Sequence, residues 1–142
     1  GVITLLQALI KDNNIQLRLD LNQTLPLVFA QAVQIDQVIL NLCKNAIDAM
    51  DGSDKHKVLG IKTRCLDKTI EVAIMDTGNG IDADIVEHLF DPFSTLKKNG
   101  MGMGLSISRS IIERHYGNLY VAKSTHNMTT FKFTLPIKAS HE

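Results

Sequence analysis

The sequence has no excess of charge of either sign, no long hydrophobic run and no pair of cysteines at metal-binding spacing. Its 15 basic and 15 acidic residues balance to a formal net charge of zero over 142 residues. Because a nucleic-acid-binding module presents a basic surface, this balance argues against a nucleic-acid partner. No apolar run approaches the roughly 18–20 residues that a membrane span requires, so we expect no direct membrane insertion.

Cysteine and targeting signals are equally scarce. Cys43 and Cys65 lie inside apolar patterns and form no CxxC pair, which favours neither a zinc ribbon nor a disulfide framework and indicates a reducing, cytoplasmic setting. No signal peptide, transit sequence, internal repeat or low-complexity segment is visible. The first residue is Gly1 rather than methionine, so we interpret the chain as a piece of a longer polypeptide.

The chain is long enough for one folded domain, spanning residues 1–142. With 44% hydrophobic residues, a chain of this length buries roughly two-thirds of its unfolded surface and needs no disulfide or metal to fold.

Hydrophobic periodicity predicts the elements of this domain. Apolar residues at helical spacing predict helices over 2–10, 35–50 and 105–115, with Gly117 as the C-cap of the last. Alternating patterns and short apolar runs predict strands over 15–21, 27–30, 58–65, 70–75, 119–122 and 131–135. The 15–21 strand should bury one face, and the strands 58–65 and 70–75 should form a hairpin. Residues 76–104 have little periodicity apart from 83–89, which indicates a long, partly mobile functional loop.

The order of these elements does not alternate as in a doubly wound parallel sheet. It predicts an α+β fold, a two-layer α/β sandwich with a mixed, mostly antiparallel sheet and helices on one face.

Three polar residues lie beside the apolar stripe of the 35–50 helix. Asn41, Asn45 and Asp48 are separated by four and three residues, so they line one flank. Asparagine is a poor residue for a helix interior because its amide competes with the backbone. The two asparagines therefore indicate a site, although amides that face solvent or bond a neighbouring loop are the plainer interpretation.

A carboxylate and two glycines follow the strand at 70–75. The period of two places Asp76 on the apolar side of that strand, where an unpaired carboxylate is costly. An adenine amino group could supply the donor, and Gly78 and Gly80 would let the backbone pass close to the base. Local hydrogen bonding within an Asp-Thr-Gly turn is the alternative.

A second glycine cluster, Gly-Met-Gly-Met-Gly at 100–104, directly precedes the helix predicted from Leu105. Backbone N–H groups at a helix N-terminus bind phosphate oxygens, and Lys97 and Lys98 add positive charge. A glycine hinge with solvated lysines is the alternative. The GxGxG spacing is not the Rossmann fingerprint, and no Walker GxxxxGK[ST] or eukaryotic-type kinase signature occurs.

Taken in chain order, these segments resemble the catalytic ATP-binding domain of bacterial sensor histidine kinases, a branch of the GHKL ATPase superfamily. Residues 41–49 resemble its N box, 76–80 its first glycine box, 90–93 its F box and 100–105 its second glycine box. The resemblance implies a Bergerat-type ATP-binding fold, which agrees with the sandwich predicted above, and a cytoplasmic domain whose parent protein can be anchored in the inner membrane.

The resemblance also implies roles for individual residues. Asn45 would be the Mg²⁺ ligand and, with Asn41 toward the phosphates, would form the catalytic pair. Asp76 would accept a hydrogen bond from adenine, in a pocket shaped by Gly78 and Gly80. The further ATP contacts would come from Asp48, Ile81, Phe93, Lys98, Gly100, Gly102, Met103, Gly104, Leu105 and Thr130.

Two of the implied features concern the edges of the pocket. Phe90 and Phe93 would anchor a mobile lid. The superfamily keeps a threonine near its adenine-binding aspartate, which here is Thr129 or Thr130, and Thr130 is the residue assigned above. The glycine that usually precedes this threonine is replaced by Met128, so the loop at 124–128 can be shaped differently.

The resemblance favours a kinase over a hydrolase. Hydrolytic relatives place a glutamate four residues before the Mg²⁺-binding asparagine, whereas this chain has Asn41 there, and an amide is not a general base at neutral pH. A kinase instead receives a histidine nucleophile and supplies positioning and charge neutralisation.

The phosphoacceptor is expected elsewhere in the parent protein. Five histidines are present, and none has the setting of the family's phosphoacceptor helix. We therefore expect three partners, which are ATP or ADP, the dimerisation and phosphoacceptor domain of the parent kinase, and a response regulator. We expect no autophosphorylation by this fragment alone. The alternatives are a serine kinase of the anti-sigma type and a non-catalytic nucleotide sensor.

Overall fold

Four helices and five strands lie in the part of the chain that the structure, a computed structural model, describes. These residues are 2–12, 14–21, 32–52, 56–81, 83–91, 102–125 and 127–137. The elements in chain order are α1 (Val2–Asp12), β1 (Gln16–Asp20), α2 (Ala32–Met50), β2 (Val58–Cys65), β3 (Thr69–Asp76), α3 (Ala83–Val86), α4 (Gly102–Arg114), β4 (Asn118–Thr125) and β5 (Met128–Pro136).

The strands form one mixed sheet in the order β1-β2-β3-β5-β4. β1 pairs with β2 in parallel, and the other three pairs are antiparallel. The predicted mixed, mostly antiparallel sheet and the hairpin of β2 and β3 are thus confirmed, while the strand predicted over 27–30 lies outside the described residues.

The helices pack on one face of this sheet around a single hydrophobic cluster. Leu6 of α1, Leu42 and Met50 of α2, Ile112 of α4 and Phe133 of β5 are each at most 1% exposed and belong to that cluster. Full burial of such a side chain contributes about 1.5–3 kcal/mol before entropy is counted. The predicted stripe of α2 therefore forms the centre of the core and fixes this helix against β3. Among the described helices, none combines the length and the hydrophobicity of a membrane-spanning segment.

Strand β1 buries less than its alternation predicts. Ile15, just before it, is buried and Leu17 packs against the core, but Leu19 and Leu21 are each 43% exposed. β1 is an edge strand of the five-stranded sheet, so burial decreases along it. Helix α4 also differs from the prediction, because it begins at Gly102 rather than at Leu105.

The C-terminal end of α4 corrects the role predicted for Gly117. The residue with left-handed backbone geometry is Tyr116, with φ of 64°. Its N–H donates to the carbonyl of Glu113 at 3.0 Å, and the N–H of Gly117 donates to the carbonyl of Ile112 at 2.9 Å, the paired bonds of a Schellman motif. Gly117 is needed for a different reason, because an added Cβ would collide with the carbonyl oxygen of Thr134.

The outer face of the sheet, away from the helices, carries a buried carboxylate. Glu71 of β3 accepts a hydrogen bond from Nε of Arg64 at 2.8 Å and lies 3.4 Å from Nζ of Lys132. Burial opposes ionisation, but the hydrogen bond from Arg64 and the charge of Lys132 outweigh it and lower the pKa of Glu71. The stability that this carboxylate contributes is therefore present at neutral pH and is lost as the pH falls through its lowered pKa.

We predict that Gly117→Ala destabilises the domain by about 2–3 kcal/mol, because backbone must move to admit the methyl group. Gly60→Ala is the matched control, since its added Cβ would first meet the terminal methyl of Met75 at 3.1 Å, which can move aside. Urea unfolding of both variants measures the difference, and equal stabilities would contradict the packing described for Gly117.

Candidate functional site

The candidate site begins where β3 ends. Asp76 is 3% exposed and lies on the helix-facing side of the sheet, as its alternation predicts. Its Oδ1 accepts a hydrogen bond from the N–H of Gly78 at 2.8 Å. The local turn bonding considered as an alternative is thus present, and it holds both the carboxylate and the start of the following loop in place.

The two glycines of this loop meet different requirements. A Cβ on Gly78 would lie 2.7 Å from the carbonyl oxygen of Ala49 and 2.9 Å from Oδ1 of Asp76, so the loop can approach the last turn of α2 only without a side chain. Gly80 has φ of 79°, a conformation that glycine adopts without strain. The close backbone approach that the structure shows is thus to α2, and the predicted approach to a base stays a prediction.

Two hydroxyls that sequence reasoning did not single out hold the same loop. Oγ1 of Thr77 accepts from the N–H of Val58 and donates to the carbonyl of His56, each at 3.0 Å. At the other end of the loop, Oγ of Ser124 accepts from the N–H of Ile81 at 2.8 Å. Val58 and His56 are distant from Thr77 in the sequence, and Ile81 is distant from Ser124. No local sequence pattern therefore indicates these bonds.

The register of the sheet corrects the threonine chosen for the pocket. Thr129 lies directly opposite Asp76, and Thr130 lies opposite Met75. Directly opposed residues of an antiparallel pair share a face, so Thr129, which is 3% exposed, lies on the face of Asp76 and Thr130 lies on the other. The register therefore favours Thr129 over Thr130 as the threonine beside Asp76, and counting back by twos from the buried Phe131 leads to the same residue.

Asn41, the first of the two asparagines of α2, lies beside the first turn of α4. Asn45 is 6% exposed, and Asp48, on the same flank, is exposed. Nδ2 of Asn41 donates to Oγ of Ser108 in α4 at 3.3 Å, and a Cβ on Gly104 would lie 4.0 Å from Cγ of Asn41. The structure therefore brings the flank predicted from spacing against the second glycine cluster.

The second glycine box contributes the N-terminus of α4. Its first turn consists of Gly102, Met103, Gly104 and Leu105, whose backbone N–H groups have no partner within the helix. The side chain of Leu105 is buried in the core. Phe93, Lys98 and Gly100, which were assigned to the pocket, lie outside the described residues.

The first aromatic residue of the F box is attached to the core. The ring of Phe90 packs edge to face on Phe131, with centroids 6.2 Å apart, and the guanidinium of Arg109 lies 4.5 Å above the ring of Phe90. Such aromatic and cation–π contacts each contribute about 0.5–1.5 kcal/mol. This contact joins the segment after α3 to α4 and β5.

Cys43 of α2 has no chemical role in the site. Burial raises the pKa of its thiol to about 12, so the side chain is protonated and serves as packing. Cys65, which also lies in an apolar pattern of the sequence, is exposed. Within the described residues, no group of three His, Cys, Asp or Glu side chains is placed to hold a metal ion.

Comparison with known proteins identifies the family to which this fold and site belong. Residues 30–139 match the family model of histidine kinase-, DNA gyrase B- and HSP90-like ATPases. The sensor protein FixL of Bradyrhizobium diazoefficiens is 44% identical over 126 residues, which cover 89% of this chain and 25% of FixL. Sporulation kinase E of Bacillus subtilis is 34% identical over 142 residues, which cover 99% of this chain and 19% of that kinase.

A solved structure agrees with these relatives. The catalytic domain of the histidine kinase ThkA in a nucleotide-free form is 31% identical, superimposes with a TM-score of 0.83, and is matched over 95% of this chain and 87% of that domain. The chain belongs to the histidine kinase-, DNA gyrase B- and HSP90-like ATPase family, as the catalytic ATP-binding domain of a two-component protein-histidine kinase. It spans a third or less of the length of the curated sensor kinases described above.

The register predicts a contrast between neighbouring threonines. Thr129→Val should weaken the binding of ADP about five-fold, because a hydroxyl on the pocket face is lost and one hydrogen bond is worth about 1 kcal/mol. Thr130→Val should leave binding within about twofold, because its side chain lies on the opposite face. Calorimetric titration of both variants with ADP measures the two affinities. A larger loss of affinity in the Thr130 variant would overturn the assignment of Thr129 to the pocket face.

Proposed function

We propose that this domain binds Mg-ATP and donates the γ-phosphate to a histidine on a separate dimerisation domain of the parent kinase. A response regulator then receives the phosphoryl group. The observation that carries this proposal is the buried carboxylate of Asp76, held by the N–H of Gly78, a residue at which the loop approaches α2 too closely for a side chain.

The chemistry of that carboxylate supports adenine as the base. An ionised carboxylate only accepts hydrogen bonds, and the exocyclic amino group of adenine donates them, whereas guanine carries an acceptor oxygen at that position. Thr129 lies opposite Asp76 on the same face and adds a hydroxyl oxygen that can accept a hydrogen bond. The pair therefore favours adenine over guanine nucleotides.

The residues on α2 fit a magnesium ion that is held mainly by the nucleotide. Mg²⁺ prefers oxygen ligands and commonly takes one or two from the protein, with the rest from substrate phosphates and water. The amide oxygen of Asn45 would be one such ligand, and the described residues contain no cluster of three acidic, imidazole or thiol ligands that would hold the ion alone. When bound, the ion would supply charge neutralisation at the phosphates.

The residue four positions before Asn45, which is Asn41, supports transfer of the phosphoryl group to a nucleophile from outside this domain. The side-chain N–H of Asn41 donates a hydrogen bond to the hydroxyl of Ser108, and an amide has no basic group with which to take a proton from water. The domain therefore orients the nucleotide and leaves the nucleophile to its partner. The solved complex of the histidine kinase ThkA with the response regulator protein TrrA, in which ThkA is 28% identical to this chain with a TM-score of 0.78, supports a response regulator as the downstream partner.

Two substitutions should separate the base and metal ends of the pocket. Asp76→Asn should weaken ADP roughly tenfold with or without Mg²⁺, since a hydrogen bond to a charged group is worth about 1.5–3 kcal/mol. Asn45→Ala should keep the Mg²⁺-free affinity and lose the strengthening by Mg²⁺. Calorimetry with ADP, GDP and a non-hydrolysable ATP analogue measures both.

The control for this pair is Asp20→Asn, which removes an exposed carboxylate on the outer face, 3.8 Å from Nζ of Lys62, and should bind like the unmodified domain. Equal affinity of the unmodified domain for ADP and GDP would contradict the role proposed for Asp76.

The transfer step requires the whole parent kinase. We expect that kinase to incorporate γ-phosphate from ATP in an acid-labile, base-stable form typical of phosphohistidine, and the isolated 142-residue domain to incorporate none. Acid-stable phosphoprotein would instead indicate a serine kinase. Nucleotide binding without any transfer in the whole protein would indicate a nucleotide sensor.

A further inference from the structure

We propose that Ser124 of β4 is a positioning residue of the adenine pocket, which it shapes by holding the far end of the loop formed by residues 77–81. This inference rests on the function proposed above. Ser124 itself is placed against the backbone of the loop, and its effect on the nucleotide passes through Ile81 and Gly80.

The hydroxyl of Ser124 bonds both polar groups of one backbone residue. Its Oγ accepts from the N–H of Ile81 at 2.8 Å and donates to the carbonyl of the same residue at 3.3 Å. Since a serine hydroxyl has a single proton, Oγ1 of Thr129 is then the donor in its 3.5 Å contact with Ser124. Ser124 thus links the loop to the threonine that lies opposite Asp76.

An irregularity in β4 turns Ser124 toward the loop. Val121 lies opposite the buried Phe131, and the register then shifts by one residue, so that Lys123 lies opposite Thr130 and Ser124 opposite Thr129. In a regular strand, residue 123 would share the face of Val121 and residue 124 would point outward. The β-bulge therefore exchanges a lysine for a serine on the pocket face, a re-aiming that bulges perform beside functional sites.

The loop is held at two ends and turns between them. Asp76 and Thr77 fix its start through bonds to Gly78 and to β2, and Gly80, with φ of 79°, changes the chain direction before Ile81. Loss of the Ser124 hydroxyl would leave the start of the loop hydrogen-bonded and the end held only by the packing of the Ile81 side chain against the core. The adenine end of the pocket should therefore loosen while the core, which Ser124 does not enter, stays intact.

The primary test is Ser124→Ala. We expect its affinity for ADP to fall about three- to tenfold, the size of one net hydrogen bond, by the same factor with and without Mg²⁺, while the melting temperature stays within a few degrees. Thr134→Ala is the control, because its hydroxyl also accepts a backbone N–H, that of Asn118 at 3.3 Å, at the other end of the same hairpin. Unchanged binding by Ser124→Ala would overturn the inference.

Two further variants, whose side chains have the same shape, distinguish the hydrogen bonds made by residue 124 from its packing. Ser124→Thr keeps a hydroxyl and Ser124→Val replaces it with a methyl group, so binding should be restored in the first and remain weak in the second. Equal affinities of the two would also overturn the inference, and this comparison remains informative if the alanine variant does not fold.

Amide hydrogen exchange distinguishes a failure of the inference from a failure of the proposed function. Exchange at Ile81 should accelerate several-fold in Ser124→Val relative to Ser124→Thr, without any nucleotide present. If the unmodified domain binds no adenine nucleotide, the proposed function fails even where this exchange difference is seen. If it binds ADP and the exchange at Ile81 is the same in both variants, the inference alone fails.

Discussion

The buried carboxylate of Asp76 is the constraint on which the site depends. A carboxylate that is 3% exposed needs donors, and one of them is the N–H of Gly78, two residues further along the chain. That bond pulls the loop across the end of α2, where the carbonyl of Ala49 leaves no space for a side chain. The geometry of the first glycine box thus follows from satisfying one acid in an apolar layer.

Most of the fold follows from periodicity, because burial on one face imposes a repeat that the sequence must show. The stripe of α2 and the alternation of β3 predict both elements and the inward position of Asp76. The structure differs from these predictions where a contact with another strand, rather than periodicity, determines the role of a residue. Gly117 is required by a carbonyl of a strand that is distant in sequence. The family pattern that implies Thr130 carries no information about the alternation of β5, which places Thr129 on the face of Asp76. Ser124 could not be found at all, since a bulge shifts the phase that alternation assumes.

The two faces of the sheet have opposite tasks. The helix-facing side carries the core and, at one end, the polar groups of the site. The outer side carries Glu71 with Arg64 and Lys132, an ionic arrangement that holds neighbouring strands together. Because every strand residue belongs to one side, the register that places Thr129 opposite Asp76 also places Thr130 and Lys132 outward, and the site and the outer network are fixed together.

The bulge in β4 makes the number of residues in that strand as important as their identity. Val121 and Ser124 are three residues apart, so both can face the helices only because Ala122 is accommodated as an extra residue. Deleting Ala122 would make the spacing even and leave Ser124 opposite Thr129 in a regular strand, whereas a regular strand of the present length would turn Lys123 toward the pocket. When β4 is grafted between related domains, the bulge and the residue spacing must therefore be transferred together.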